Sequence, residues 1–195
     1  MPVLPAAPPH RAPPGSPRAA SRGFTLIELA VVLAIVAVLL RVATPGMSRV
    51  VAARALAVQA SEFMAALRFA RAQALARGAA VTICASAPDA SAPACQGRGA
   101  ADWRSGWIVF ADRDRRGAPN AHEPLLRVQQ PLQRSGGVAG TRGSISFTAA
   151  GYATDAASRY VFSAPAAAVS DAPPALAVCV SKQGRPRLAD RGACD

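Results

Sequence analysis

The chain has 195 residues, four cysteines, two histidines and a formal net charge of +11, and its length is typical of one domain with appended segments. Because it has no C-x-x-C pair and so few histidines, a zinc site is not expected. It also lacks a Ser/His/Asp-type set, so we expect neither an enzyme nor a cofactor. The charge indicates either an anionic partner (nucleic acid, anionic lipid or acidic protein) or a surface that only maintains solubility.

The N-terminal part contains a long apolar run behind a Pro/Ala-rich segment. Residues 1–20 carry nothing that predicts a core, whereas the 17 residues from Phe24 to Leu40 are almost wholly apolar. As a helix this run would rise about 26 Å, near the lower limit for spanning a bilayer. Arg22 precedes the run, which predicts a cytoplasmic N-terminal side. Glu28 interrupts the run at a cost of about 2.5–3.5 kcal/mol, so it needs a partner.

The run Arg22-Gly23-Phe24-Thr25-Leu26-Ile27-Glu28 resembles the type III signal of type IV pilins and type II secretion pseudopilins. The resemblance implies a prepilin leader over 1–23, cleavage after Gly23 by a prepilin peptidase, and N-methylation of Phe24. Cleavage before the apolar run would retain the anchor. The alternative is an ordinary single-pass anchor that happens to carry a glutamate.

The resemblance also implies a role for the intramembrane acid. In this family it pairs with the N-terminal amine of the neighbouring subunit, which would make Glu28 an assembly residue and other pilins or pseudopilins its partners. Opposite charges attract strongly in a bundle of low dielectric, so such a pair fixes register. Residues 24–45 are therefore predicted as a transmembrane and assembly helix in the bacterial inner membrane, with the C-terminal domain in the periplasm or in an assembled filament.

A second helical pattern follows over residues 46–78. It contains no proline or glycine from Met47 to Arg77, and apolar residues recur every three or four positions, as on one face of an amphipathic helix. We expect this face to pack on a sheet and Gly78 to end the helix. The face consists of Leu56, Ala60, Phe63, Leu67, Ala70 and Ala74.

Residues 79–195 read as a β domain, because short β-type runs alternate with turn-forming stretches. The predicted strands are Ala80–Ala85, Gly106–Ala111, Pro124–Val128, Ser144–Thr148, Arg159–Phe162, Ala175–Ser181 and Arg185–Leu188. The expected fold class is α+β: a type IV pilin-like fold in which a long N-terminal helix packs on a small antiparallel β domain.

Three runs and a glycine in this domain indicate which group of pilin-like proteins the chain resembles. The runs Val81–Cys84 and Trp103–Asp112, followed by Ser144–Thr148 and Gly151, look like the GspH/FimT group of minor pilins. Apolar residues in the Trp107–Asp112 run do not alternate strictly with polar ones, which predicts a largely buried strand. We therefore expect both tryptophans to serve core packing.

The segment after this strand has part of the residue pattern of a calcium-binding loop. Asp112, Asp114, Gly117 and Glu123 match positions 1, 3, 6 and 12 of an EF-hand-like loop. However, Arg116 occupies position 5, where a ligand belongs, and further arginines flank the acids. A turn between strands, built by Asp and Gly, is the favoured interpretation, and no metal site is predicted.

The cysteines form two local pairs in the sequence, Cys84 with Cys95 and Cys179 with Cys194. Paired cysteines beyond a membrane anchor indicate an oxidising compartment such as the periplasm. Four cysteines permit three connectivities. We favour the two local disulfides, since each closes a short loop, and the alternative is four buried free thiols.

The C-terminal segment is basic: Lys182, Arg185, Arg187 and Arg191 lie between the last two cysteines. In a strand, Arg185 and Arg187 project to the same side, and Pro186 suits a sheet edge. Two guanidinium groups on a rigid edge suit phosphate oxygens.

Gly184-Arg185-Pro186-Arg187 resembles the Gly-Arg-x-Arg motif of FimT-type minor pilins, which bind DNA during natural transformation. The resemblance implies DNA as a partner, bound without sequence preference through the four basic residues. The alternatives are a solubilising tail or, at the level of the whole protein, a GspH-like secretion pseudopilin that contacts other proteins in a tip complex.

Overall fold

A computed structural model describes part of the chain: residues 24–88, 90–133, 135–154, 157–165, 175–190 and 194. The chain divides between Arg41 and Val42 into two compact units. The predictions of a leader over residues 1–23, of cleavage after Gly23 and of DNA contact by Arg191 concern residues outside the described ones.

The helix α1, Leu26–Arg77, includes both helical segments predicted from the sequence. Thr25 caps its start, because its Oγ1 accepts a hydrogen bond from the backbone N–H of Glu28 at 3.3 Å. The helix ends before Gly78, whose φ of +59° is the left-handed conformation typical of a helix C-terminus.

In the second unit, α1 buries the apolar face predicted from its periodicity. Leu56 is 2% exposed, and the other five predicted positions are fully buried. The stretch Val50–Arg77 is long and apolar enough to cross a membrane, but 44% of its most apolar window is buried inside the protein. The stretch Val50–Arg77 is therefore the core helix of this unit. The predicted transmembrane segment is a different one, the apolar run that begins at Phe24.

Nine strands are described in this unit. They are β1 Val81–Ala85, β2 Ala101–Asp102, β3 Trp107–Ala111, β4 Leu125–Gln129, β5 Gly137–Gly140, β6 Ser144–Phe147, β7 Ser158–Ser163, β8 Ala175–Val180 and β9 Pro186–Asp190. They form two antiparallel sheets, one in the order β4-β3-β1-β6 and one in the order β2-β5-β7-β8-β9. A single 3₁₀ turn, Trp103–Ser105, links β2 to β3.

The sequence reading missed β2 and β5. Residues 137–140 read Gly-Val-Ala-Gly and carry the glycines of a turn. In the structure they pair with β7, with Val138 opposite Phe162. The pairing partner, which is distant in sequence, makes this segment a strand despite its weak local preference.

Aromatic rings join α1 to both sheets. The ring of Phe63 lies 5.2 Å from that of Trp103, 5.1 Å from Trp107, 4.9 Å from Tyr160 and 5.7 Å from Phe162, measured between centroids. All five side chains are fully buried. The structure thus confirms that both tryptophans serve core packing, and that the strand carrying Trp107 is buried along its whole length.

Candidate functional site

The N-terminal unit presents the predicted assembly residues at its start. Phe24 is 84% exposed. Glu28 lies in the first turn of α1, and its side chain is also exposed. Its backbone N–H is satisfied by Thr25, whereas its carboxylate makes no hydrogen bond or ion pair within the described part of the chain. The carboxylate is thus available to a group from another molecule.

Every described side chain from Phe24 to Arg41 is exposed. The large apolar ones among them, from Leu26 at 86% to Val36 at 43%, form a continuous apolar surface on one helix. A surface of this kind requires lipid or neighbouring subunits to cover it, since water does not accommodate such a large apolar patch without cost.

The C-terminal basic residues lie on a β-hairpin at the edge of the five-stranded sheet. β9 pairs antiparallel with β8, placing Pro186 opposite Val180 and Arg187 opposite Cys179. β9 is the last strand in its sheet. Pro186, which has no N–H to donate, therefore occupies a position where its missing donor is tolerated, as predicted.

The turn of this hairpin is tightly held. Gly184 donates its N–H to the carbonyl of Ser181 at 2.8 Å, and Arg185 donates its N–H to Ser181 Oγ at 3.3 Å. Gly184 has a φ of +71°, and a Cβ there would lie 2.4 Å from the carbonyl oxygen of Gly151. Only glycine fits this position, because both the backbone angle and the close approach exclude a side chain.

The hairpin turn is also tied to the rest of the unit. The backbone N–H of Ala153 donates to the carbonyl of Lys182 at 3.0 Å. Arg71 of α1 donates from its Nε to the carbonyl of Gly151 at 2.9 Å. A chain of contacts thus runs from the helix through the β6–β7 loop to the turn. Arg71 is half-buried, so its side chain has a structural role in this unit.

The side chains of Lys182, Arg185 and Arg187 are exposed. None of the three makes an ion pair with another described residue. Val178 and Val180 of β8 belong to the core, so the alternating residues project to the opposite, outer face of the sheet. Arg187 lies opposite Cys179 and therefore projects to this outer face. Arg185 immediately precedes β9, and its side chain is also exposed.

One residue of this surface was not predicted as a site residue. Arg159 of β7 also pairs with Cys179, from the other side of β8. Arg159 and Arg187 thus lie in one row across three strands, about 10 Å apart at the backbone, and both side chains are exposed. The sequence did not indicate that Arg159 and Arg187 are neighbours, because only strand pairing brings the two arginines together.

Both local cysteine pairs are disulfides in the structure. Cys179 is bonded to Cys194 with a Cα separation of 5.7 Å, and Cys84 to Cys95 with a separation of 5.6 Å. The first bridge lies on the row that contains Arg187 and closes the C-terminal segment over 15 residues. It therefore ties Cys194 to β8.

Comparison with known families agrees with this architecture. The sequence profile of the family described as type II transport protein GspH matches residues 59–184. The chain belongs to the GspH family. A second profile, the prokaryotic N-terminal methylation motif, matches residues 18–40, which include the Arg22–Glu28 segment and the whole apolar run Phe24–Leu40.

Two solved structures are similar to this GspH-family chain, and both are of the type IV minor pilin FimU from Pseudomonas aeruginosa, in different crystal forms. They are 18% identical, cover 69% of this chain and 87% or 92% of their own, and give TM-scores of 0.48 and 0.46. No curated protein matches the sequence at a significant level.

The family and the methylation motif identify a pilin-like subunit, a minor pilin or pseudopilin of the type IV pilus or type II secretion class. Such families are structural rather than enzymatic. Membership implies other pilins and a prepilin peptidase as partners, and the exposed apolar helix together with the motif indicates membrane anchoring.

Proposed function

We propose that this GspH-family protein is a FimT-like minor pilin that binds DNA, without sequence preference, through the outer surface of the β8–β9 hairpin. The observation that carries the proposal is the exposure of two arginines, Arg187 on the edge strand β9 and Arg185 immediately before it. Both follow Gly184, a turn position that only glycine fits. Lys182 extends the surface at the turn, and Arg191 follows β9 in the sequence.

The physical case rests on charge and rigidity. Guanidinium groups offer several donors in a planar fork that matches phosphate oxygens. Because the turn backbone is held by hydrogen bonds to Ser181 and Ala153, less backbone entropy is lost when the arginines bind, which favours affinity. Residues 182–190 contain no aromatic side chain, so base stacking is not available and contacts are confined to the phosphate backbone.

The proposal includes the assembly machinery at the other end of the chain. A prepilin peptidase cleaves after Gly23 in the inner membrane, Phe24 becomes the N-methylated first residue, and Glu28 pairs with the N-terminal amine of a neighbouring subunit. The exposed, unpartnered carboxylate of Glu28 and its apolar surroundings support this assignment. Removal of residues 1–23 takes away three arginines and no acid, so the processed periplasmic protein still carries a charge of +8.

The test is DNA binding by the full chain in a non-ionic detergent, measured by fluorescence anisotropy with a short labelled duplex across a salt series. Three neutralised phosphates predict a log–log salt slope of about −2 to −3. The Arg185→Ala/Arg187→Ala variant is expected to bind at least tenfold more weakly, with a slope flatter by about 2, because each lost phosphate contact releases one counterion fewer.

A control with the same net charge separates a site from general attraction. Arg54 and Arg68 are exposed on α1, and the Arg54→Ala/Arg68→Ala variant is expected to bind DNA like the parent chain. Equal loss in both double variants would show attraction by net charge alone and contradict the hairpin site.

Absence of DNA binding by the parent chain at low salt would support a second candidate function. In that case the protein is a GspH-like type II secretion pseudopilin that acts in a tip complex through protein contacts. The profile match to a type II transport protein favours this alternative. Co-purification with other pseudopilins, lost on substitution of the same hairpin, would then be the expected result.

A further inference from the structure

The loop between β3 and β4 gathers three carboxylates. Asp112 follows the last residue of β3, and Glu123 lies two residues before β4. Asp114 lies between them in the turn. One oxygen of each of Asp112, Asp114 and Glu123 lies within 4.8 Å of the others. Like charges this close repel one another, so the arrangement calls for a compensating group.

The first of these acids is fully buried. Asp112 is 0% exposed, and its Oδ2 accepts hydrogen bonds from Thr82 Oγ1 at 2.6 Å and from the N–H of Gly117 at 3.0 Å. Its Oδ1 is buried and accepts no hydrogen bond from any described group. A buried carboxylate oxygen without a partner carries a large desolvation penalty.

The same holds for the acid at the other end of the loop. Glu123 is 7% exposed, and its Oε1 accepts from the backbone N–H groups of Arg113 at 2.8 Å and Asp114 at 3.4 Å. Its Oε2 is buried and has no hydrogen-bond partner within the described chain. Each of the two carboxylates is thus fixed in place through one oxygen and keeps the other for a further ligand.

The neighbouring arginines do not supply this ligand. Arg116, whose position in the loop argued against a metal, has a side chain that is 74% exposed and contacts only the outer acid, with Nε 3.0 Å from Asp114 Oδ2. The guanidinium of Arg98 donates to the backbone carbonyls of Arg115 and Arg116. These cations hold the turn from outside and leave the two buried oxygens uncompensated.

We propose that Asp112, Asp114 and Glu123 bind a Ca²⁺ ion. Ca²⁺ takes oxygen ligands at about 2.3–2.6 Å in flexible geometry, so ligand oxygens across the ion lie up to about 5 Å apart, as these do. Mg²⁺ demands a tighter octahedron at about 2.0–2.1 Å. The cluster contains no nitrogen or sulfur ligand, which disfavours zinc and other softer metals.

The proposed ion would join the end of β3 to the start of β4, the edge strand of the four-stranded sheet. The structure shows the turn that the sequence predicted, and Ca²⁺ would be a component of that turn. The expected consequence is a stability of the β unit that depends on calcium.

The experiment is a thermal melt and a calorimetric titration of the full chain in detergent, after EDTA treatment and dialysis. Binding of one Ca²⁺ per chain is expected. The melting temperature should rise by about 5–10 °C when Ca²⁺ exceeds its dissociation constant one hundredfold. Mg²⁺ at the same concentration should produce less than half of this rise.

Two conservative variants test the ligands. Asp112→Asn keeps an oxygen for Thr82 and Gly117, and Glu123→Gln keeps one for the two loop N–H groups. Both are expected to lose the calcium response and yet to melt no lower than the parent chain in EDTA, since each removes a repelling charge. A role in turn structure alone would instead lower the melting temperature in EDTA.

The matched control is Glu62→Gln, which removes an exposed acid on α1 and should keep the full calcium response. The proposal is overturned if the parent chain shows no calcium-dependent shift up to about 10 mM, above the range of extracellular calcium modules. It is equally overturned if Asp112→Asn responds as the parent does.

Discussion

Replacement of Gly184 by alanine tests whether the turn before Arg185 is as constrained as its geometry indicates. Gly184 has a φ of +71°, and an added Cβ would meet the Gly151 carbonyl oxygen at 2.4 Å and the Phe147 ring at 3.2 Å. The left-handed backbone costs an alanine about 1–2 kcal/mol. Overpacking against a fixed backbone carbonyl adds about 1–3 kcal/mol, so Gly184→Ala is expected to lower the free energy of unfolding by about 2–5 kcal/mol.

The assay is urea unfolding of the full chain in detergent, followed by tryptophan fluorescence. Trp103 and Trp107 are both buried in the core of the second unit, so their emission reports the unfolding of that unit alone. The matched control is Gly99→Ala, because a Cβ at Gly99 would meet nothing within 4 Å. This control should change the free energy of unfolding by no more than about 0.5 kcal/mol.

The same variant bears on DNA binding. If the rigid turn presents the arginines, Gly184→Ala should weaken DNA binding although Arg185 and Arg187 are both intact. A Gly184→Ala chain as stable as the Gly99→Ala chain would refute the reasoning, since it would mean that the turn and the Gly151 loop adjust at little cost.

Two further predictions concern the core and the assembly helix. Phe63→Ala should lower the free energy of unfolding by about 3–5 kcal/mol, because its ring contacts four buried aromatics, three on strands of the two sheets and one in the 3₁₀ turn. Val58→Ala, at a position 57% exposed on the same helix, should cost less than about 1 kcal/mol in the same urea assay. Glu28→Gln should reduce incorporation into filaments, measured by immunoblot of sheared filament fractions, without altering the melting temperature of the β unit. Unchanged incorporation would argue against the proposed pair between Glu28 and the N-terminal amine of a neighbouring subunit.

Local sequence patterns predicted a large part of this structure. The three- and four-residue spacing from Leu56 to Ala74 marked the buried face of α1, and every predicted position is buried. The strands rich in β-branched and aromatic residues were predicted with bounds that differ by one or two residues. These features are local because helix and strand periodicity reports directly which side chains face the core.

Some features of the candidate sites could be predicted from contiguous sequence, and others depend on residues that are distant along the chain. The N-terminal signal and the basic Gly-Arg-Pro-Arg run are continuous in sequence, so their residues could be named before any fold was known. The glycine requirement at position 184 has a second source, the approach of Gly151, which no local pattern contains.

What the sequence determined by itself was therefore the class of the protein, the α+β fold and the residues of its contiguous motifs, since these follow from periodicity and from motifs read along one chain. Only the tertiary structure decided that residues 137–140 form a strand, that Arg159 shares a row with Arg187, and that Asp112 and Glu123 each keep one buried oxygen without a partner. The physical reason is that strand pairing and burial bring together groups distant in sequence, and the cost or use of each group depends on those neighbours.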